Sequence, residues 1–308
     1  MKVPRVKSIS EESFIENYIV GNTPVIVTDG MENWDMEKFT PEYLIKEFGD
    51  EKVQVYNDLF DLQTVQSLEK YINTNFFRSE ADGPAKQYMR WYTKLKEVEF
   101  YWSDSVFDRL KNAWSQPYFI PDTSLVIPSN KNAEKRTINE YGYPYKGLFI
   151  SGKGSRTRLH KDPFVSNAVL CQFHGQKEIF LYSPKKEQDV MSKGAFVDVK
   201  NPDHIKFPNF SNITPDYEDI LSPGEIILFP SGWFHDVTSV SDSISITWNF
   251  LHATQIDKLC KHIKNNPEDD QLEIARFFLK DEISKEMKAE ELIMFFKNKF
   301  EAQNVVLG

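Results

Sequence analysis

The sequence predicts a mainly β fold, a barrel or jelly roll with helices at both ends, on three observations. Short strand-like runs separated by turn residues fill positions 147–250. Helix signals stand before and after that block. Hydrophobic residues make up 40% of the 308-residue chain and aromatics 14%, enough for a packed core and too many for a disordered chain.

Each element has its own warrant. Ser10-Glu11-Glu12-Ser13-Phe14 reads as a capped helix start, since a serine hydroxyl can accept a backbone N–H in the first turn. Pro24-Val25-Ile26-Val27-Thr28 is β-branched and predicts an early strand. Thr40-Pro41-Glu42-Tyr43-Leu44 opens a second helix, with Pro41 where its missing N–H costs nothing. Val53-Gln54-Val55-Tyr56 is strand-like. Leu148-Phe149-Ile150 then leads into a Gly- and Ser-rich turn before His160. The strands Val169 to Phe173 and Glu178 to Tyr182 flank His174-Gly175-Gln176, which reads as a hairpin turn. Glu225 to Phe229 and Ile244 to Trp248 are returning strands.

After Ala253 the texture becomes helical. Leu272, Ala275, Phe278 and Leu279 share one helix face, and Leu292, Phe295, Phe296 and Phe300 another. These faces suit packing against the barrel or a homodimer interface. The organisation read from the sequence is one continuous domain over 1–252 and a helical extension over 253–308.

A net charge of −9 disfavours nucleic acid as a general partner, although a local basic groove is compatible with it. It favours a basic or polar peptide target. Cys171 and Cys260 give no disulfide framework and read as reduced, buried thiols. The start Met1-Lys2-Val3-Pro4-Arg5 lacks an apolar run, and no window approaches a membrane span. The expectation is a soluble cytoplasmic protein, or a nuclear one in a eukaryote.

The chemistry concentrates in Leu159-His160-Lys161-Asp162-Pro163 and Phe229-Pro230-Ser231-Gly232-Trp233-Phe234-His235. Two histidines and one carboxylate are the ligand set that holds Fe(II) on one face and leaves the other open. Alternate residues of a strand point the same way, so His160 and Asp162 can grip one ion while Lys161 faces outward. His235 follows Asp162 by 73 residues (235 − 162), a distance that suits a ligand on a returning strand. Pro230 and Gly232 allow a sharp approach, and Trp233 can pack beside the metal and restrict water.

Further segments fall in the same order: Thr157-Arg158-Leu159, Gln172-Phe173-His174-Gly175-Gln176-Lys177, Leu181-Tyr182-Ser183-Pro184, Leu221-Ser222-Pro223-Gly224-Glu225-Ile226 and Ser245-Ile246-Thr247-Trp248-Asn249-Phe250. With the two metal motifs, they resemble the JmjC/cupin-like family of 2-oxoglutarate-dependent oxygenases, nearer its small hydroxylase-type branch than the large histone demethylases. Weaker similarity reaches Asn22-Thr23-Pro24-Val25-Ile26-Val27 and Lys46-Glu47-Phe48-Gly49, so the likeness spans about residues 10 to 252.

The resemblance implies a double-stranded β-helix (jelly-roll/cupin) barrel, with Fe(II) on His160, Asp162 and His235 and with 2-oxoglutarate and O2 as cosubstrates. It implies that Lys177 pairs with the distal carboxylate of 2-oxoglutarate, supported by Thr157. Thr247 and Asn249 would lie near metal and cosubstrate, and Tyr88, in the alternating Tyr88-Met89-Arg90-Trp91-Tyr92, is its match for the cosubstrate tyrosine. Asn167 departs from the pattern, standing ten residues before Lys177 (177 − 167); either a bulge restores its direction or it is no site residue. His174 reads as a turn residue, and His204, His252 and His262 as ordinary histidines.

The implied function is hydroxylation of a protein or peptide side chain, with succinate and CO2 as coproducts. N-methyl-lysine or arginine demethylation and tRNA-base hydroxylation are alternatives within the family. A zinc cupin and an inactive interaction module are the readings outside it. Substrate choice is expected in rim segments 61–87, 131–146 and 185–220, since specificity resides in loops.

Overall fold

A computed structural model describes residues 1–92, 102–120, 125–127, 146–269, 272 and 286–304. Its strands in chain order are β1 (Arg5–Val6), β2 (Val25–Val27), β3 (Lys52–Tyr56), β4 (Leu62–Ser67), β5 (Tyr88–Tyr92), β6 (Leu125–Ile127), β7 (Lys146–Ser151), β8 (Arg156–His160), β9 (Asn167–His174), β10 (Lys177–Tyr182), β11 (Met191–Ser192), β12 (Ala195–Phe196), β13 (Tyr217–Leu221), β14 (Ile226–Phe229), β15 (Phe234–Ser239) and β16 (Ser243–His252). One large sheet has the order β1-β2-β14-β9-β16-β7-β5-β3-β4, with β6 added on β16. A second sheet has the order β13-β10-β15-β8, and β11 and β12 form a small ribbon.

The two larger sheets face each other, which the side-chain pattern explains. Ala168 and Leu170 of β9 and Ile227 and Phe229 of β14 meet Ile179, Leu181 and Val237 of the second sheet. The other faces of the same strands, through Val169, Cys171, Phe173, Ile226 and Leu228, pack beneath Phe14, Phe39, Leu44 and Phe48 of the N-terminal helices. Strand β9 therefore reads as a continuous apolar run because both of its faces are covered. Strand β16 instead alternates. Ile244, Ile246, Trp248 and Phe250 join the core under the helices, so Ser245, Thr247 and Asn249 turn to the barrel interior. One strand thus supplies both a core face and a polar pocket wall.

The N-terminal helices start where expected. Ser10 accepts the Ser13 N–H, and Thr40 accepts the Tyr43 N–H ahead of the helix Pro41–Phe48. On the outer face of the second sheet, Leu159 and Phe234 lie under Val190, Val197, Phe207 and Phe210. There Arg156 donates to the buried Asp236 at 2.8 Å and to Asp198 at 2.7 Å, pinning the 187–199 segment to the sheet.

One connection differs from the sequence reading. His174-Gly175-Gln176 is not a hairpin turn, because β9 pairs with β14 and β16 whereas β10 pairs with β13 and β15. The chain instead turns a corner from one sheet to the other. Gly175, at φ 68°, allows it: a Cβ there would stand 1.8 Å from the Asp242 carbonyl oxygen. Turn chemistry marks the bend but carries no information about which partner follows.

The C-terminal helices Ile256–Asn265 and Ala289–Asn304 pack on the same chain. Leu272, Leu292 and Phe296 are buried with Ile256, Leu259, Cys260 and Ile263, against Phe164, Leu251 and Ala253 of the barrel. Phe295 is partly buried there, so among the described residues the side chains considered for a dimer face pack within the chain. Ala275, Phe278, Leu279 and the Phe300 side chain lie outside the described residues, as does most of the 131–146 rim segment. Both cysteines are free and buried. Among the described residues no helix is long and apolar enough to cross a membrane.

His252, at the end of β16, makes the metal-free fold acid-sensitive. It is buried, its Nδ1 accepts the Thr254 N–H at 3.3 Å, and burial pushes the imidazole from 6.5 down to about 4. Between those values the unfolded chain binds a proton that the fold refuses. Its stabilisation is therefore complete above pH 6.5 and lost as pH falls towards 4. His252→Asn is expected to reduce the dependence of melting temperature on pH across that window by its own share, leaving that of the buried imidazoles of His160 and His235, as thermal melts of the metal-free protein would read.

Candidate active site

The site begins with an irregularity in β8. This strand runs antiparallel to β15, with His160 directly opposite His235, but Val237 is opposite Thr157. Two steps on β15 therefore match three on β8. Thr157 and His160 are an odd number apart and would face opposite sides of a regular strand; the bulge turns both inward. The Arg158 backbone N–H, within the bulge, donates to the Asp58 carbonyl at 3.1 Å.

Asp162 is not a strand residue, in contrast to the sequence reading. Strand β8 ends at His160, but the backbone stays extended at Asp162 (φ −68°, ψ 151°) before a short 3-10 turn. That extension keeps Asp162 on the side of His160. The ligand atoms of His160, Asp162 and His235 all lie within 4.8 Å of one another. The two rings are 4.1 Å apart, and His235 Nε2 is 3.9 Å from the Asp162 carboxylate. His160 Nδ1 is 2.9 Å from the Arg158 carbonyl and His235 Nδ1 is 3.4 Å from that of Trp233, which leaves Nε2 of each ring for the common point.

Burial sets the charge state. It pushes the His160 imidazole down to about 3, with His235 adding to the effect, and the His235 imidazole down to about 4. Both are neutral at neutral pH, the form in which imidazole binds a metal. Burial also raises the Asp162 carboxyl, against hydrogen bonding from Asn249. A divalent cation at the common point would compensate that buried carboxylate. Phe229 lies face to face on His235, ring centroids 4.4 Å apart. Trp233 does not take that place: its Nε1 donates to the Asn22 carbonyl at 2.9 Å, and its ring packs on Tyr217.

A second polar group occupies the interior. Lys177 is 0% exposed, on the face of β10 that carries Ile179 and Leu181, and pairs across the ladder with Ser239. Its Nζ donates to the Tyr88 hydroxyl at 2.7 Å and to Ser245 Oγ at 2.8 Å. Among the described residues no carboxylate lies within ion-pair range of it. Burial pushes the Tyr88 phenol up, but Lys177 and Arg90 pull it below its usual range. A buried ammonium held by neutral hydroxyls is a site prepared for an anion. Along β15, His235 and the Lys177 partner Ser239 are four residues apart, about 13 Å of strand.

The remaining sequence candidates divide. Thr157 faces the interior and accepts from the fully buried Arg90 at 2.9 Å. Asn249 reaches Asp162 and also donates to Ser166 at 3.1 Å. Thr247 donates its hydroxyl to the Val169 carbonyl at 2.8 Å, so its donor serves the sheet. Asn167 is consumed by scaffolding. It donates to Gln255 and Phe250 and accepts the Ser231 N–H at 3.0 Å, tying down the loop that leads to His235. Sequence reasoning missed Ser245 and Arg90. Both had a signal: Ser245 shares the β16 alternation with Thr247 and Asn249, and Arg90 shares that of β5 with Tyr88.

From Asp162 a cleft of about 840 Å³ opens outward between Phe164, Met191, Phe196 and the end of the helix Ile256–Asn265. Its walls carry Glu187, Glu268 and Asp269 against Lys161. Rim segment 185–220 thus borders the site directly.

Residues 10–258 match the profile of the cupin-like domain. The chain is 28% identical to an arginine-specific demethylase, JMJ20, of Arabidopsis thaliana, over 85% of this chain and 60% of that protein. It is 25% identical to the 2-oxoglutarate and iron-dependent oxygenase JMJD4 of Gallus gallus, over 82% of this chain and 61% of the relative. It is also 25% identical to tRNA wybutosine-synthesizing protein 5 of Homo sapiens, over 87% and 84%. The match thus spans about three fifths of the first two relatives. With its two facing sheets and clustered His-Asp-His ligands, the chain belongs to the cupin-like domain family, within the JmjC group of iron- and 2-oxoglutarate-dependent oxygenases.

Proposed function

We propose that this chain is an Fe(II)- and 2-oxoglutarate-dependent dioxygenase that hydroxylates a side chain of a protein or peptide, with succinate and CO2 as coproducts. The observation that carries the reading is the sharing of one interior by a three-ligand cluster and the fully buried Lys177 ammonium. Bound there, iron with 2-oxoglutarate and O2 supplies the oxidant that exchanges a C–H for a C–OH. His160, Asp162 and His235 would hold the iron from one face. Lys177, with Tyr88 and Ser245 at its side, would meet the distal carboxylate, and Thr157 would support it from the Arg90 side. Asn249 orients Asp162, Thr247 lines the wall, and Phe229 keeps water from His235.

The cleft favours a polypeptide carrying a basic residue, because Glu187, Glu268 and Asp269, with Asp162 at its inner end, stand in its walls against Lys161, which Glu187 already pairs, and His262, which Asp269 already binds. The relatives' names include demethylation and tRNA modification, which are the alternative outcomes for the same oxidant. The test supplies Fe(II), 2-oxoglutarate and basic or acidic peptides and follows succinate, then searches products for a mass gain of one oxygen atom. Formaldehyde release would move the assignment to demethylation, and oxygen gained only by tRNA would move it to base hydroxylation. No Fe(II)-dependent succinate at all would leave the zinc-cupin or inactive-scaffold readings.

A further inference from the structure

Between β3 and β4 the chain places Phe60 at φ 67°, a left-handed conformation that a bulky side chain adopts only when its surroundings impose it. The surroundings are specific. The Asn57 carboxamide oxygen accepts the N–H groups of Leu59 and Asp61, each at 2.9 Å, and its Nδ2 donates to the Asp61 carboxylate at 2.9 Å. The Asp58 carbonyl takes the Arg158 N–H of the β8 bulge. This knot sets the Phe60 ring over the Arg90 guanidinium, 4.1 Å from its carbon, and edge-on to His160 with centroids 5.1 Å apart. Phe60 is nevertheless 41% exposed, with Leu59 and Leu62 more exposed beside it. The ring therefore stands between solvent and two polar groups, the buried Arg90 and the partly buried His160, the latter a ligand of the cluster.

We propose that Phe60 is a shielding residue: its ring covers the His160 side of the centre and restrains cosubstrate consumption when no substrate is present. The part concerning cosubstrate rests on the oxygenase reading above. In productive turnover one atom of O2 enters succinate and the other enters the substrate C–H bond. Without substrate the second atom leaves as water, with two protons and with two electrons from a reductant such as ascorbate. A cover that limits access keeps that second course slow.

Two measurements decide it. In the metal-free protein, carbethoxylation of His160 by diethyl pyrocarbonate is followed by peptide mass, with the exposed His204 as internal reference. Phe60→Ala is expected to raise the His160 rate several-fold relative to His204, and Phe60→Tyr to restore it. With Fe(II), 2-oxoglutarate and ascorbate but no peptide, Phe60→Ala is expected to raise succinate formation about three- to tenfold, again restored by Phe60→Tyr. Circular dichroism checks that both variants fold; if Phe60→Ala does not, Phe60→Leu takes its place. Equal His160 labelling in variant and parent overturns the cover, and increased labelling with unchanged substrate-free succinate overturns the restraint. A parent that makes no succinate defeats the oxygenase reading and with it the restraint, while the labelling comparison still decides the cover.

Discussion

Asp162→Ala is expected to reduce Fe(II)-dependent succinate formation to background while leaving the fold intact. The loss should exceed the roughly 10–100-fold that follows removal of an outer partner of a metal ligand, because a direct ligand is lost. His160 and His235 would remain, with rings 4.1 Å apart, but two neutral imidazoles give the ferrous ion neither the third ligand of the triad nor a compensating negative charge. The fold has no reason to suffer. Burial already raises the Asp162 carboxyl, so in the metal-free protein its charge is a burden that alanine removes. A melting temperature no lower than that of the parent, with turnover gone and Fe(II) affinity much weakened, is the expected set. Turnover retained near the parent level would remove Asp162 from the ligand set, and His160→Ala provides the parallel test.

Lys177→Ala separates the cosubstrate site from the metal site. Removing one side of a buried, desolvated pair typically costs about 3–5 kcal/mol, hundreds-fold or more in binding. The apparent KM for 2-oxoglutarate should rise by that factor, whereas metal affinity should stay within a small factor of the parent, because Lys177 touches Tyr88 and Ser245 and none of the three ligands. Activity recovered at high cosubstrate would show that the ammonium supplies binding rather than chemistry. Equal turnover at low 2-oxoglutarate in variant and parent would reject its role.

What the sequence disclosed follows from where the information lies. The two faces of β16 are written in alternation, apolar at Ile244, Ile246 and Trp248 and polar at Ser245, Thr247 and Asn249, so both core and pocket wall are legible. The ligands are legible because the chemistry demands those residue types, whereas Lys177 is legible only through the family resemblance, since a lysine after a turn is otherwise read as exposed. Pairing is not local information: Gly175 announces a bend but not that β10 belongs to the other sheet. The bulge is hidden for the same reason, since an extra residue exists only relative to a partner strand. Phe60 left no trace because its position depends on Asn57 and on Arg158 some hundred residues away. Asn167 had the composition of a site residue, but contacts with Ser231 and Gln255 decide its use.

The offset between β8 and β15 makes the length of one short stretch as important as its composition. Losing a single codon from the span joining Thr157 to His160 would alter none of the three metal-binding side chains. It would leave two steps on β8 against two on β15, a regular ladder with Thr157 and His160 still on one side, and what vanishes is the bulge with the N–H that Arg158 offers to Asp58. A span one residue shorter would aim the two side chains equally well, so the extra residue serves instead to dock the loop of Asp58 and Phe60 beside the centre.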